Sequence, residues 1–453
     1  MTIVEAGQAL RRHEVTCVEL TQRCLDRIEE ENPKLNAFIT VTAAQALERA
    51  AALDSELATG RDRGPLHGIP IAHKDLIRTR GVRTTCGSLL FADDPMDVHA
   101  AVAERLDNAG AVMVGKTGLH ELAYGITSTN PHFGAVRNPH DPRCIPGGSS
   151  GGSGAAVSTG MALGATGTDT GGSIRIPASF CGITGLKPTY GLVSTYGIQP
   201  LGLTLDHAGP LAQTVADVAL MLDAMAGFDA RDPASVNRPR TSYAPRPLDF
   251  RVLRIGMPRN FYFDEIAPET QAAILDAAQR MAGLGAKIVS VGLPDMDALN
   301  TIARTILLAE ATAVYRHRMA RRDLFGDDVF ALLEQGLMIS GPDYVDAQRL
   351  RLPLCREFRA VFNKVDFLFA PATPMPAPRI GQSEVELGGR RTDTRLAATR
   401  TMRAINVTGL PAMSLPCPVP KGALPIGLQI VGKAFDEARL LSFAAAVEDA
   451  FSF

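Results

Sequence analysis

The sequence predicts an α/β fold, a single large domain in which a central, mixed β-sheet is covered by helices. Three observations lead to this prediction. Of the 453 residues, 46% are hydrophobic and only 21% are charged, which is enough apolar material to bury a large core. Apolar, strand-like segments alternate with segments of helical periodicity along most of the chain. No internal repeat stands out that would divide the sequence.

The first 60 residues predict an N-terminal helical layer. In CVELTQRCLDRIEEENPKLNAF the apolar residues Val18, Leu25 and Ile28 recur at roughly helical spacing. The next segment, TAAQALERAAALDSELATG, is rich in the helix formers Ala, Leu and Glu and ends at Gly60. We therefore expect helices over most of positions 3–59.

Strand-like and helical segments alternate after this layer. GIPIAHKDLI is apolar and strand-like, and DVHAAVAERLDNAGAVMVGKT predicts a helix, a stop at Gly110 and a buried strand. The alternation returns beyond Pro210, and 295–362 predicts a long helical stretch. The Pro- and charge-rich segment 230–250 is either a linker or an exposed excursion of one domain. We favour one domain over 1–453.

Charge and cysteine content narrow the class of protein. A formal net charge of −2 argues against a nucleic acid or an anionic membrane as partner. The seven cysteines are scattered, never form C-x-x-C, and suggest neither a disulfide framework nor a zinc cluster. No signal peptide or membrane span is predicted, and no His, Asp, Glu or Cys grouping has metal-ligand spacing. We expect a cytoplasmic protein without metal or cofactor.

A glycine-rich segment between 143 and 209 has several interpretations. GGSSGGSG alone fits a flexible linker, but the small apolar residues that follow suggest a buried helix and strand. It lacks the G-K-[ST] ending of a phosphate-binding loop. GGSSG matches the G-x-S-x-G elbow of α/β-hydrolases at Ser149, yet only His207 and His317 lie downstream, which disfavours that fold.

A serine activated by a lysine is a third chemical hypothesis. Lys74 lies in an apolar run, where burial would lower its pKa and make the amine a base. Asp75 supports the competing interpretation of a paired structural ion. Gly171 and Gly172, directly before Ser173, could gather consecutive N–H groups into a concavity that stabilises an oxyanion.

Three motifs together resemble the amidase signature family of Ser-Ser-Lys amide hydrolases. These motifs are HKDL, PGGSSGGSGAAV and GTDTGGSIRIPASFCGITGLKPTYG, and the intervals between Lys74, Ser149 and Ser173 also look like those of the family. The signature core spans about 65–210, and NVTGLPAMSLP and GLQIVG extend the similarity over nearly the whole chain. The resemblance implies the amidase signature fold, with 295–362 as a variable helical substrate region.

The resemblance also implies catalytic roles. Ser173 would be the nucleophile that forms an acyl-enzyme, and Ser149, after a cis peptide bond from Gly148, would bridge it to Lys74. Lys74 would be the terminal base, which later returns the proton to the leaving amine. These three residues would form the Ser-cisSer-Lys catalytic triad.

Further residues around the expected nucleophile also receive expected roles. By the same resemblance, Tyr124 and Gly125 should lie near the acyl pocket. Asp169 and Arg175 flank Ser173 in the sequence, and we expect them and Ser150 to order the loops of the site. The expected oxyanion hole consists of the backbone N–H groups of Thr170, Gly171, Gly172 and Ser173.

Several positions bear on which kind of amide the protein hydrolyses. HELAYGITSTNPHFGAVRNP looks more like stand-alone bacterial amidases than like the glutaminase subunits of tRNA-dependent amidotransferases. Those glutaminase subunits usually carry Asp at the position of Thr399 and Gln at the position of Ile176. We therefore expect hydrolysis of a small-molecule amide with an aryl or apolar acyl group, with ester, anilide or carbamate (urethane) cleavage open. The alternative is a glutaminase subunit that hydrolyses glutamine within an amidotransferase. A homodimer is compatible with either.

Overall fold

The computed structural model describes residues 1–91 and 97–451. The predicted domain span of 1–453 therefore includes a few positions outside the described residues. The helices are α1 Ile3–Arg11, α2 Cys17–Leu35, α3 Ala43–Ala58, α4 Ala101–Asn108, α5 Gly151–Ser158, α6 Arg175–Cys181, α7 Val215–Met225, α8 Pro268–Gly283, α9 Met296–Tyr315, α10 Asp327–Leu337, α11 Gly341–Ala360, α12 Thr394–Arg400, α13 Arg403–Thr408 and α14 Glu437–Phe451.

Eleven strands form one sheet, in the order β1-β3-β2-β6-β8-β7-β14-β15-β11-β9-β10, and two short hairpins, β4-β5 and β12-β13, lie outside it. The strands are β1 Phe38–Val41, β2 Pro70–Lys74, β3 Val112–Thr117, β4 Thr129–Asn130, β5 Gly134–Ala135, β6 Gly164–Asp169, β7 Thr184–Lys187, β8 His207–Ala212, β9 Arg254–Pro258, β10 Lys287–Val291, β11 Phe367–Pro371, β12 Glu384–Leu387, β13 Arg390–Asp393, β14 Ala412–Pro416 and β15 Gly427–Val431.

The sheet is mixed, as the sequence predicts. Strand β2 pairs in parallel with β3 and β6, whereas β6 with β8, β8 with β7, β7 with β14 and β14 with β15 pair in antiparallel fashion. The central strands β2, β6 and β8 are buried along their whole length, which requires helices on both faces. The prediction of a single α/β domain with a mixed sheet covered by helices is confirmed.

The N-terminal layer differs from the prediction in one element. Between α2 and α3, the residues Phe38–Val41 form strand β1, which pairs with β3 at the edge of the sheet. Phe38 is the one fully buried residue of this strand, and its neighbour Ala37, just before the strand, is buried too. Four residues with one buried position are too few to show the alternating pattern by which a strand is recognised in a sequence.

The glycine-rich segment is part of the core and not a linker. From Gly151 the chain forms helix α5, whose residues up to Val157 are all buried. A Cβ at Gly152 would lie 2.5 Å from the backbone atoms Ala37 O and Gly118 N, so no larger residue fits between these segments. Glycine is therefore used here to bring three chain segments together.

The region 295–362 consists of α9, α10 and α11 with short 3₁₀ turns, in agreement with the predicted helical stretch. The linker candidate 230–250 contains no helix or strand apart from the start of a 3₁₀ turn at Phe250. No helix among the described residues is long and apolar enough to cross a bilayer.

Candidate active site

Lys74 ends strand β2, which lies between β3 and β6 in the sheet, and is fully buried. Its Nζ atom donates to Ser149 Oγ and to Thr168 Oγ1, each at 2.7 Å. Strand β6, which carries Thr168, lies beside β2, and this pairing places the hydroxyl near the amine. The structure thus brings together two of the three predicted catalytic residues and adds Thr168, which the sequence did not indicate.

The structural ion pair suggested for Lys74 is formed by a different lysine. Asp75 Oδ1 lies 3.2 Å from Lys116 Nζ, and Asp75 Oδ2 accepts a hydrogen bond from the N–H of Thr85 at 3.0 Å. The neighbouring His73 is also buried and makes a 2.9 Å hydrogen bond to Thr166 Oγ1. Lys74 therefore has no carboxylate partner among the described residues.

Burial controls the charge of Lys74. Removal from water lowers the pKa of its amine to about 7, although the charges of Asp169 and Asp206 act in the opposite direction. Burial likewise lowers the pKa of His73 to about 4, so this imidazole stays neutral. A large fraction of Lys74 is thus an uncharged base near neutral pH, as the Ser-Lys hypothesis requires.

Ser149 lies just before α5, and the peptide bond between Gly148 and Ser149 is cis, as the resemblance implied. The next residue, Ser150, donates its N–H to Ser173 O at 3.2 Å and links the two serine loops. Ser150 Oγ bonds both the N–H and the carbonyl of Thr168, each at 3.3 Å. No hydrogen bond joins the hydroxyls of Ser149 and Ser173, so the bridging role of Ser149 stays a prediction.

Ser173 lies between β6 and α6 with 6% of its surface exposed. Asp169 holds its loop: one oxygen accepts the N–H of Gly172 at 2.8 Å and the other accepts the N–H of Ile174 at 3.2 Å. Arg175 closes the loop with hydrogen bonds of 2.9 and 3.0 Å to the same carboxylate. Asp169 and Arg175 therefore hold the backbone of the loop that carries Ser173, and the role of Ser173 as nucleophile stays a prediction.

The ion pair under this loop is fully buried. Burial raises the pKa of Asp169, but the charge and hydrogen bonds of Arg175 outweigh it and hold the pKa well below its usual range. Asn406, within the NVTGLP motif, donates to Asp169 Oδ1 at 2.8 Å and accepts from Arg175 Nη2 at 2.7 Å. The motif marked this segment in the sequence, but it did not indicate this bridging contact.

The predicted oxyanion hole is only partly available. The N–H of Gly172 donates to Asp169 and is already satisfied, which differs from the expected role of this residue. The N–H groups of Thr170, Gly171 and Ser173 have no acceptor among the described residues. These three groups remain the candidate donors for an oxyanion.

Asp206 is a further buried group that the sequence did not indicate. Its Oδ1 accepts the hydroxyl of Thr170 at 2.6 Å, and its Oδ2 accepts the N–H of Leu201 at 2.9 Å. Burial raises the pKa of this carboxyl to about 6. Asp206 therefore holds the side chain of Thr170, the first residue of the candidate oxyanion loop, whereas Asp169 holds the N–H groups of Gly172 and Ile174.

Ser173 lines a small cavity of about 60 Å³. Tyr124 and Gly125 lie in its wall, where the acyl pocket was expected. Gly125 packs on the ring of His120, so that a Cβ would come within 2.1 Å of that ring. His120 in turn lies 2.9 Å from Asp328 on α10, which anchors this wall to the helical region.

The lining of the cavity also carries charge that no motif in the sequence indicated. Arg395, Thr399 and Arg403, from α12 and α13, line it together with the apolar residues Ala123, Ile126, Leu201, Leu307 and Leu332. A second cavity of about 570 Å³ shares Thr170 and Leu201 with the first. The arginines are distant in sequence from the signature core, in a segment whose composition shows no motif.

The fold is an α/β domain with a mixed sheet of eleven strands, and its site holds a buried pair of Lys74 and Ser149 beside the loop that carries Ser173. The amidase family model matches residues 19–441. The chain therefore belongs to the amidase family, and the prediction of an enzyme that hydrolyses amides is confirmed.

The individual relatives include both an amidotransferase subunit and a peptide amidase. The A subunit of the glutamyl-tRNA(Gln) amidotransferase from Azoarcus sp. (strain BH72) is 41% identical and aligns over 98% of this chain and 96% of its own length. A solved structure, described as a vestigial protein complex revealing the origins of an s-triazine catabolic enzyme, matches with TM-score 0.94 at 34% identity and covers 99% and 98% of the two chains. The peptide amidase of Stenotrophomonas maltophilia matches with TM-score 0.88 at 32% identity and covers 100% and 97%.

These relatives correct one expectation. The sequence motifs placed the chain closer to stand-alone amidases than to the glutaminase subunits, yet the first curated relatives are amidotransferase subunits of that kind, at 38–41% identity. The expectation rested on single positions such as Thr399 and Ile176, whereas identity is averaged over the whole chain. Membership of the amidase family is thus shown.

Proposed function

We propose that this protein hydrolyses a linear amide other than glutamine through a serine acyl-enzyme, with Lys74, Ser149 and Ser173 as the catalytic residues. The observation that carries the proposal is the buried amine of Lys74, which lies 2.7 Å from Ser149 Oγ. Ser149 and Ser173 lie in adjoining loops joined by the Ser150 N–H, and Ser173 faces the cavity. A buried base, a relay hydroxyl and a nucleophile are the groups that amide cleavage needs.

In the first half of the proposed reaction, Ser173 Oγ forms a bond to the amide carbonyl carbon. Its proton passes to Ser149, whose own proton passes to Lys74, and the N–H groups of Thr170, Gly171 and Ser173 stabilise the oxyanion. The C–N bond then breaks, and the proton held by Lys74 returns through Ser149 to the leaving amine. In the second half, water forms a bond to the acyl carbon and loses a proton along the same path to Lys74. The bond between this carbon and Ser173 Oγ then breaks, the proton returns through Ser149 to Ser173, and the carboxylic acid is released.

The cavity supports the choice against glutamine. A site for glutamine must hold an α-ammonium group, but the cavity wall carries Arg395 and Arg403 and no carboxylate among its lining residues. Thr399 occupies the position where the glutaminase subunits usually carry Asp. An ammonium group would therefore be desolvated beside two like charges. The apolar residues that line the cavity support the expected contact with apolar atoms of the acyl group. Cleavage of esters, anilides and carbamates stays a prediction.

A glutaminase subunit of an amidotransferase is the second candidate, because 41% identity over 98% of the chain favours it. Under that alternative the protein would work with partner subunits and not alone.

A substrate panel distinguishes the two candidates. Purified protein is incubated with glutamine, aliphatic amides, anilides and carbamates, and the release of ammonia or amine is followed. We expect turnover of at least one non-glutamine amide by the protein alone, with glutamine the poorer substrate. Fast release of ammonia from glutamine only would favour the glutaminase role. The Lys74→Met variant, which keeps the bulk but removes the base, is the matched control and should be inactive.

A further inference from the structure

Two guanidinium groups line the cavity of Ser173 without a partner among the described residues. Arg395 is the second residue of α12 and Arg403 the first of α13, and both are only partly exposed. Neither guanidinium forms an ion pair or hydrogen bond with another described residue. Two carboxylates, Asp393 and Asp328, are near enough to act on them electrostatically, but Asp328 already bonds His120.

Two such cations close together are unfavourable unless an anion lies beside them. Burial lowers the pKa of Arg403 to about 10, and the charges of Arg304 and Arg395 act in the same direction. Arg304 differs from the other two because it is exposed and donates to Gln335 Oε1 at 3.1 Å. Cations brought together and partly desolvated need an anion to offset the cost. The described residues supply no such anion at ion-pair distance, so a ligand is the natural source.

The position of Arg403 connects it to the reacting centre. Its Cγ lies 3.6 Å from where a Cβ would stand on Gly171, in the candidate oxyanion loop. Ser173 and both arginines line the same small cavity, and Leu307 and Leu332 line it too. An anion held by the arginines would therefore belong to the molecule that Ser173 attacks, with its methylene groups against the leucines.

We propose that the acyl portion of the substrate ends in a carboxylate that Arg395 and Arg403 bind. The substrate class is then the monoamide of a short dicarboxylic acid. The inference rests on the proposed amide hydrolysis and replaces the expected aryl or apolar acyl group with one that is apolar along its methylene chain and anionic at its end. Guanidinium groups suit this role because their planar donors match a carboxylate in geometry and charge. The same cations exclude an acyl group that carries an ammonium.

The test compares pairs of amides of equal shape. Malonamate, succinamate and glutaramate are each assayed against the amide in which an isopropyl group replaces the carboxylate: 3-methylbutanamide, 4-methylpentanamide and 5-methylhexanamide. We expect at least one monoamide to exceed its partner in kcat/KM by about tenfold or more, chiefly through a lower KM. Glutaramate should also be cleaved faster than glutamine, which differs from it by the α-ammonium.

Variants then assign the preference to the two arginines. Arg395→Gln and Arg403→Gln, checked for folding by thermal melting, should each reduce the acid-to-neutral ratio by about tenfold. Arg391→Gln is the matched control, since Arg391 is exposed on β13 and does not line the cavity, and its ratio should equal that of the wild type. A wild-type ratio near one, or a ratio that survives both substitutions, would overturn the inference.

If none of these amides is cleaved, the binding of a dicarboxylate tests the proposed carboxylate site instead. Titration calorimetry with succinate should show binding to the wild type that Arg403→Gln abolishes, and no binding to the wild type would overturn the inference. The underlying hydrolase proposal fails by a different signal: a serine-directed phosphonate would then leave Ser173 unlabelled.

Discussion

Lys74 is the residue whose protonation should set the pH dependence. It must be neutral to accept a proton, and its pKa is lowered to about 7 by burial. Below that pH the amine is charged, so kcat/KM should fall about tenfold per pH unit on the acid side. A pH profile of amide hydrolysis by the free enzyme measures this limb.

A variant of Asp206 tests whether Lys74 is the group that sets the acid limb of the pH profile. Its negative charge raises the pKa of Lys74, so Asp206→Asn should move the acid limb to lower pH even if overall activity declines. A limb that stays in place, or moves to higher pH, would show that another group controls the reaction.

Asp169 and Arg175 should contribute to stability as well as to the shape of the site. Removing one charge of a fully buried, hydrogen-bonded pair leaves the other uncompensated, so Asp169→Asn should lower the free energy of unfolding by about 3 kcal/mol or more. Chemical denaturation measures this change. Asp141→Asn, which breaks an exposed pair with Arg143, is the matched control and should have little effect. Equal losses in the two variants would contradict the structural role of the buried pair.

At the scale of elements, helix α5 depends on its glycines for close approach. A Cβ on Gly152 meets backbone atoms of Ala37 and Gly118 at 2.5 Å, and backbone cannot move as a side chain does. Gly152→Ala should therefore destabilise the protein by about 1–3 kcal/mol, as overpacking typically does. Thermal or denaturant unfolding gives the value.

Gly283 in α8 has room for a side chain, unlike Gly152, because nothing among the described residues lies within 4 Å of a Cβ placed there. Gly283→Ala should leave stability unchanged or raise it, since alanine is the better helix former. If both alanine variants were equally tolerated, α5 would not be packed as closely as described.

Across the whole molecule, what the sequence could predict depended on local patterns. The alternation of helices and strands predicted the layered fold. The resemblance to the amidase signature family implied that Lys74 and Ser149 lie together, and a hydrogen bond of 2.7 Å joins them. Strand β1 was missed because only four residues pair at the sheet edge. The fold class therefore follows from the sequence more securely than the ends of short elements.

The missed site residues have a common physical cause. Asp206 and Arg403 are outside the catalytic motifs in sequence, and only the packing of their segments against the Ser173 loop brings them to the site. Their residue types are ordinary on a surface, so no local pattern separates them from solvated charges. Gly172 was assigned to the oxyanion hole from its position in the loop, and only the structure shows its N–H bonded to Asp169.

The nucleophile is the central claim, and covalent labelling tests it most directly. The wild type is treated with a serine-directed phosphonate and the modified peptide is identified by mass spectrometry, with Ser383→Ala, which removes an exposed serine, as control. We predict labelling at Ser173 in the wild type and in Ser383→Ala, and none in Ser173→Ala. Undiminished labelling of Ser173→Ala, with the adduct on Ser149, would contradict it.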